Sequence, residues 1–181
     1  TLFTLSMATS VFASQIDFRS LEKEGKTNFE AVGKPAMIKI KGESPAPKAT
    51  LTFKDGVTSL EADLSLEGLK TGIDMRDDHM KEKYLETKKY PNARLVIKSL
   101  NIPAEWEKTP SKIAEQKFVG TLTLHGKDSL VEGTFSLSEK KEASAEFKIK
   151  LSDHNIEIPE YMGIKVAELV TVKTQIQFER Q

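Results

Sequence analysis

An all-β fold of antiparallel strands, either one sheet closed into a barrel or a sandwich of two sheets, is predicted by three features of the sequence. Apolar and polar residues alternate with period two along most of the chain, as they do when one face of a pleated strand is buried. Turn signals separate several of these runs closely enough to make neighbouring strands antiparallel. Only two segments read as helical, too few for a βαβ architecture.

In chain order, Thr1 to Ala13 (TLFTLSMATSVFA) is apolar and uncharged and ends in Val11-Phe12-Ala13, the small-x-small form of a signal-peptidase site. It is read as part of a signal peptide cleaved after Ala13, with its basic start and initiator Met missing from the sequence, which leaves 14–181 as the mature domain. Weak alternating runs follow at 16–20, 26–32, 36–41 and 49–54, with Gly42-Glu43-Ser44 and Lys54-Asp55-Gly56 as turns. A long strand from Val57 to Leu69 sets Leu60, Ala62, Leu64 and Leu66 against Glu61, Asp63, Ser65 and Glu67, which suits a curved wall.

The stretch 74–89 (DMRDDHMKEKYLETKK) reads as a helix: Asp74 can cap it, Asp77 and Asp78 sit in the positive first turn, and lysines gather before Pro91. Its apolar stripe of Met80, Tyr84 and Leu85 is thin, so it is expected to lie across an end of the strands. A strand at 93–102 is followed by 106–116, polar and containing Pro110, the expected mobile surface loop. Phe118, Gly120, Leu122 and Leu124 make the next strand, then come the turn His125-Gly126-Lys127, a strand at 130–137 and the turn Glu139-Lys140-Lys141. Phe147, Ile149 and Leu151 alternate with lysines; 159–167 (PEYMGIKVA) reads as a short lid-like helix; and Val170, Val172, Thr174, Ile176 and Phe178 alternate in the final strand. The total is about eight to ten strands.

Composition narrows the function. Lys plus Arg and Asp plus Glu number 27 each, so the net charge is zero and no overall field attracts nucleic acid or an anionic membrane. No later run approaches the roughly 18 apolar residues of a membrane helix, and with no cysteine there is no disulfide framework, thiolate metal site or lipidated Cys after the apolar leader. His79, His125 and His154 lack the i, i+4 or i, i+2 spacing that brings two imidazoles to one metal, so no metal site is expected. His125, beside Gly126, reads as a solvated turn residue, and His154 as one held by a structural hydrogen bond. Gly-x-Ser-x-Gly and phosphate-cradling glycine loops are missing, and Asp77 and Asp78 are helical neighbours that point apart. No catalytic residue is assigned. The cluster Arg76, Asp77, Asp78 and His79 at a strand-to-helix junction can orient a polar head group, but a hydrogen-bonded corner with Arg76 reaching a carboxylate or carbonyls is favoured.

At these residues the sequence resembles a family. Thr71-Gly72-Ile73, Arg76-Asp77, His79-Met80, Leu85 and Tyr90-Pro91-x-Ala93 are similar to the central signature of the YceI-like proteins. Phe29-x-Ala31-x-Gly33, Gly120-x-Leu122-x-Leu124-x-Gly126 and Phe147-x-Ile149-x-Leu151-Ser152-Asp153 match in the expected order. Two departures are Asn155, where a glycine is common and where Asn tolerates a left-handed turn, and 34–47, which reads as a variant early hairpin. The resemblance implies an extended, lipocalin-like antiparallel barrel of about eight strands. It also implies a polyisoprenoid or similar long-chain lipid, such as a quinone tail, as ligand, with no other cofactor.

The expectation is therefore an exported, periplasmic or secreted, non-enzymatic protein enclosing an apolar ligand for carriage or storage. Candidate lumen residues are Phe29 on the first strands, Leu64 and Leu66 on the long strand, and Leu95 and Ile97 after the helix. Leu122, Leu124, Phe147, Ile149, Val172 and Ile176 complete the wall, Met75 and Met80 lie near the mouth, and Arg76 and His79 are head-group contacts. The same side chains would fill a solid core, so a filled barrel serving as a protein-interaction or stress-response module is the alternative. A lipid isomerase or hydrolase with His79 as base and Asp77 orienting it is a third reading. The sequence also allows a homodimer.

Overall fold

The computed structural model describes residues 15–34, 38–161 and 164–181; the segment 1–13, expected to be part of a signal peptide, lies outside the described residues. The strands are β1 (Ile16–Lys34), β2 (Ile38–Pro45), β3 (Lys48–Lys54), β4 (Val57–Ser65), β5 (Asn92–Leu100) and β6 (Ile113–Leu124), then β7 (Lys127–Leu137), β8 (Glu142–Lys150), β9 (Glu160–Tyr161), β10 (Ile164–Val166) and β11 (Leu169–Arg180). Every pairing is antiparallel. Following neighbours from β1 through β3, β4, β5, β6, β7, β8 and β11 returns to β1, so eight strands close a barrel and the sandwich is excluded.

The runs at 16–20 and 26–32 are one strand rather than two. The β1–β11 register shifts between Ser20 and Gly25, where Lys23 and Gly25 take positive φ. Gly25 is required twice over: its φ is +114°, and a Cβ there would lie 2.1 Å from the Gln175 carbonyl oxygen. Before this bulge β1 pairs with β3, and after it with β2. The wall is therefore taller on this flank. Gly42-Glu43-Ser44, expected as a turn, is extended strand within β2, and Glu43 exchanges backbone hydrogen bonds with Lys70 at 2.8 and 2.9 Å. Gly42 serves a close approach, since a Cβ would meet the Phe29 ring at 2.1 Å.

One barrel end is closed. Trp106, expected on a mobile loop, lies in the 3-10 turn Ala104–Glu107 and is only 1% exposed. Its ring stacks on Phe53 at 6.0 Å and meets Phe18 edge-on at 5.4 Å, and Nε1–H donates to the Ser111 carbonyl at 2.8 Å. The polar surroundings are solvated, while the one large aromatic plugs the barrel.

The other end carries the long connections. The predicted helix is shorter than 74–89: α1 (Asp74–His79) runs into a π-helical turn, Met80–Tyr84, and stops where Glu86 adopts φ 45°. Asp74 does not cap it. The N-cap position is Ile73, without a side-chain hydrogen bond, and Asp77 instead reaches back to Thr71. The expected helix at 159–167 is also absent among the described residues: β9 and β10 pair with each other there, and β10 pairs with Gly33 and Lys34 at the tip of β1. Ile164 and Val166 flanking Lys165 fit a strand, and the projecting tip of β1 supplies unpaired backbone that needs such a partner.

His125 sits at φ 53° in the β6–β7 turn, but its side chain is 14% exposed rather than solvated. Its ring meets Tyr90 edge-on at 4.7 Å, Nε2 lies 2.6 Å from Glu86 Oε2, and Nδ1 lies 3.2 Å from the His154 carbonyl. His154 is buried with Nδ1 donating to the Lys127 carbonyl at 3.0 Å, and Asn155 adopts the left-handed turn expected of it. This corner fastens the strap 74–91 to the wall. His125→Phe keeps the ring but removes both polar contacts, and should cost about 1–2 kcal/mol after allowing for the half-exposed Glu86; urea unfolding of the two proteins measures it.

Candidate functional site

Inside the barrel lies a cavity of about 580 Å³, blind at the Trp106 end and open beside the strap. It exists because inward positions do not all carry large side chains. Ala31, Ala62, Ala93, Ala143 and Ala145 face it from four strands, and the remaining wall is mostly Leu, Ile, Val and Phe. Leu100, Ile102 and Phe178 form its floor. A space of this size and character suits a ligand that buries most of its apolar surface.

The structure brings the lumen candidates to this one surface. Phe29 contributes from β1, Leu64 from β4, Leu66 from the turn after it, and Leu95 and Ile97 from β5. Leu122 and Leu124 on β6, Phe147 and Ile149 on β8, and Val172 and Ile176 on β11 complete the ring. Met75, Arg76, His79 and Met80 line it from the strap. Leu60, Thr71, Tyr84, Leu85, Phe118 and Phe135 line it too and were not foreseen as lumen residues. Leu60 and Phe118 carried the same alternation signal as their chosen neighbours, whereas Thr71 becomes recognisable only through its bonds to the strap.

Polar groups are few and concentrated at the mouth. Arg76 Nε donates to Thr71 Oγ1 at 2.8 Å and Nη2 to the Thr71 carbonyl at 2.9 Å, while Asp77 Oδ1 accepts from Thr71 N at 2.7 Å and from the Thr71 hydroxyl. The junction is thus the hydrogen-bonded corner that polar satisfaction demands, with the guanidinium also facing the cavity. Glu160 lines the mouth as well, paired with Lys165 at 3.5 Å. Deeper in the wall the Thr27 and Thr174 hydroxyls bond each other at 3.0 Å across β1 and β11, so both line the apolar interior as a satisfied pair. On the strap the hydrogen bond and charge of Tyr90, and then the charge of Glu86, raise the exposed Lys89 ammonium above its ordinary pKa.

Among the described residues no three His, Asp or Glu side chains converge as a metal site, and no helix is long and apolar enough to cross a membrane. The arrangement can hold an apolar chain in the barrel and offer a cation and an imidazole to whatever emerges at the mouth.

Comparisons with known proteins agree on the architecture. No curated protein matches the sequence. Among solved structures, the chain is similar to a polyisoprenoid-binding domain from Saccharophagus degradans implicated in plant cell wall breakdown, with TM-score 0.70 and 14% identity over 91% of this chain and 98% of that one. BcnA of Burkholderia cenocepacia matches with TM-score 0.67 and 21% identity, over 84% of this chain and 95% of that one. At these identities the likeness is one of fold. The sequence itself matches the family model of the YceI-like domain over residues 13–178, nearly the whole barrel together with Thr71 and the strap that carries Arg76 and His79, and the chain belongs to the YceI-like family.

Proposed function

We propose that this protein is an exported carrier or store for a long-chain isoprenoid lipid or quinone, holding the tail in the barrel and the head group at the Arg76 and His79 mouth. The observation that carries the reading is the blind, almost wholly apolar cavity of about 580 Å³. An isoprenoid chain asks for no hydrogen bonds and would gain roughly 25 cal/mol for each Å² removed from water, so walls of Leu, Ile, Val, Phe and Ala suit it without further chemistry. Binding of polyisoprenoid by the Saccharophagus domain, a barrel of the same fold, supports this choice of cargo. The uncharged leader 1–13 supports export.

A filled barrel acting as an interaction module would leave no such space. Asp77 Oδ1 takes two donors from Thr71, which ties this carboxylate into the corner of the mouth.

Native mass spectrometry of the purified protein, followed by solvent extraction, tests it. A bound long-chain isoprenoid, either co-purifying or taken up on incubation with quinones and polyprenols, is the expected result; an apo mass that persists after incubation overturns it. The role of Arg76 is separable from its corner. Arg76→Ala should weaken retention of an anionic-headed polyprenyl lipid about tenfold, the scale of one charge-assisted contact. Asp77→Asn, which loosens the same corner and keeps the cation, should weaken it much less; equal losses would assign Arg76 to the fold alone.

A further inference from the structure

The polar groups of the mouth do not encircle the cavity. Ile38, Ile73 and Met75 line it and are at the same time 47%, 53% and 60% exposed, so the apolar interior surface runs out over the rim into solvent. Among the described residues the exposed large apolar side chains are unevenly placed. Ile158, in a connection, and Leu169, the first residue of β11, also lie at this end, whereas the Trp106 end has Val57 and the side wall Val119 and Leu130. Apolar surface gathered around an opening marks an interaction site more often than chance exposure.

Charge indicates which partner fits. Lys39 and Lys41 on β2 share Glu30, at 3.4 and 3.9 Å, and Lys165 pairs with Glu160, so these three rim cations meet two carboxylates and leave only about one net charge. Such a rim has little net attraction for an anionic surface and little repulsion from a neutral one. We infer that the open end docks on the surface of a lipid bilayer by shallow insertion of Ile38, Ile73 and Met75, giving an isoprenoid a continuous apolar route from membrane to barrel. This rests on the reading of the cavity as a lipid site, because only a cargo that resides in membranes gains from such a route. Docking is driven by apolar insertion, so it is nearly independent of salt, unlike the electrostatic attachment of basic proteins.

Flotation of the full mature chain with vesicles of phosphatidylcholine and phosphatidylethanolamine tests docking without requiring cargo. The wild type should float with the vesicles equally at low salt and at about 0.5 M salt. Ile38→Glu/Ile73→Glu should float at least fivefold less, while Leu130→Glu, at the 72% exposed wall position, should behave as wild type. With cargo loaded, transfer to acceptor vesicles should accelerate with vesicle concentration in the wild type and lose that dependence in the double variant. Flotation abolished by salt, an equal loss in Leu130→Glu, or a mouth-to-mouth dimer that the double variant dissociates in place of vesicle binding would each overturn the inference. Absence of cargo in a protein that still floats would remove the proposed function and leave the docking surface standing.

Discussion

Trp106→Ala is expected to lower stability by about 3–5 kcal/mol, the range for removing a buried Trp or Phe, and the melting temperature by roughly 10 °C in a domain of this size. Trp106 is the only tryptophan and one of the least exposed residues. Its removal deletes two aromatic contacts, with Phe18 and Phe53, and leaves the Ser111 carbonyl without its indole donor. Because a domain of this kind is stabilised by only about 5–15 kcal/mol in total, this one side chain accounts for a large share. The variant should also leak cargo, since the floor of Leu100, Ile102 and Phe178 loses the plug that closes this end. Trp106→Phe should recover most of the stability. Thermal and urea unfolding of the three proteins measure the series; a Trp106→Ala loss under about 1 kcal/mol would return 106–116 to the status of a surface loop.

The second large effect concerns space rather than stability. Ala145 faces the cavity from β8, opposite Thr174 on one neighbouring strand and Phe135 on the other. Ala145→Phe places a ring in the middle of the lumen. In a packed core such an insertion costs about 1–3 kcal/mol through strain; here the ring enters open volume, suits a strand and buries apolar area, so stability should change by less than about 1 kcal/mol. Affinity for a long isoprenoid should fall at least tenfold, about 1.4 kcal/mol. Strong destabilisation instead would mean that this part of the barrel is filled.

The two effects mark what the sequence could and could not convey. Alternation along β4, β6, β8 and β11 identifies inward-facing residues because the pleat leaves no choice of face once one side is buried, and Leu122, Phe147 and Val172 follow from it directly. The strap signature from Thr71 to Ala93 is legible as a family pattern, although its internal bonds are not. Whether the barrel is hollow was not legible: Leu and Ile serve a lumen and a core equally, and the difference lies in the summed volume left by alanines such as Ala62 and Ala145 on separate strands. Trp106 was misplaced because ten residues of polar, Pro-containing sequence outweigh a single aromatic in any local reading, whereas tertiary packing is decided by the aromatic. The β9–β10 pair depends on the overhanging end of β1, a long-range partner that residues 159–167 do not specify by themselves. The turn that holds His125 implies a solvated side chain, whereas Glu86, Tyr90 and the His154 carbonyl arrive from distant segments to enclose it.

Calorimetric titration of delipidated protein with a detergent-dispersed isoprenoid quinone, in parallel with Ala145→Phe, decides whether the interior is a lipid site. A lipid site takes up one quinone per chain saturably with a negative heat-capacity change, the mark of apolar burial, and the folded variant binds at least tenfold more weakly. No uptake by the wild type, or equal uptake by both proteins, would contradict it.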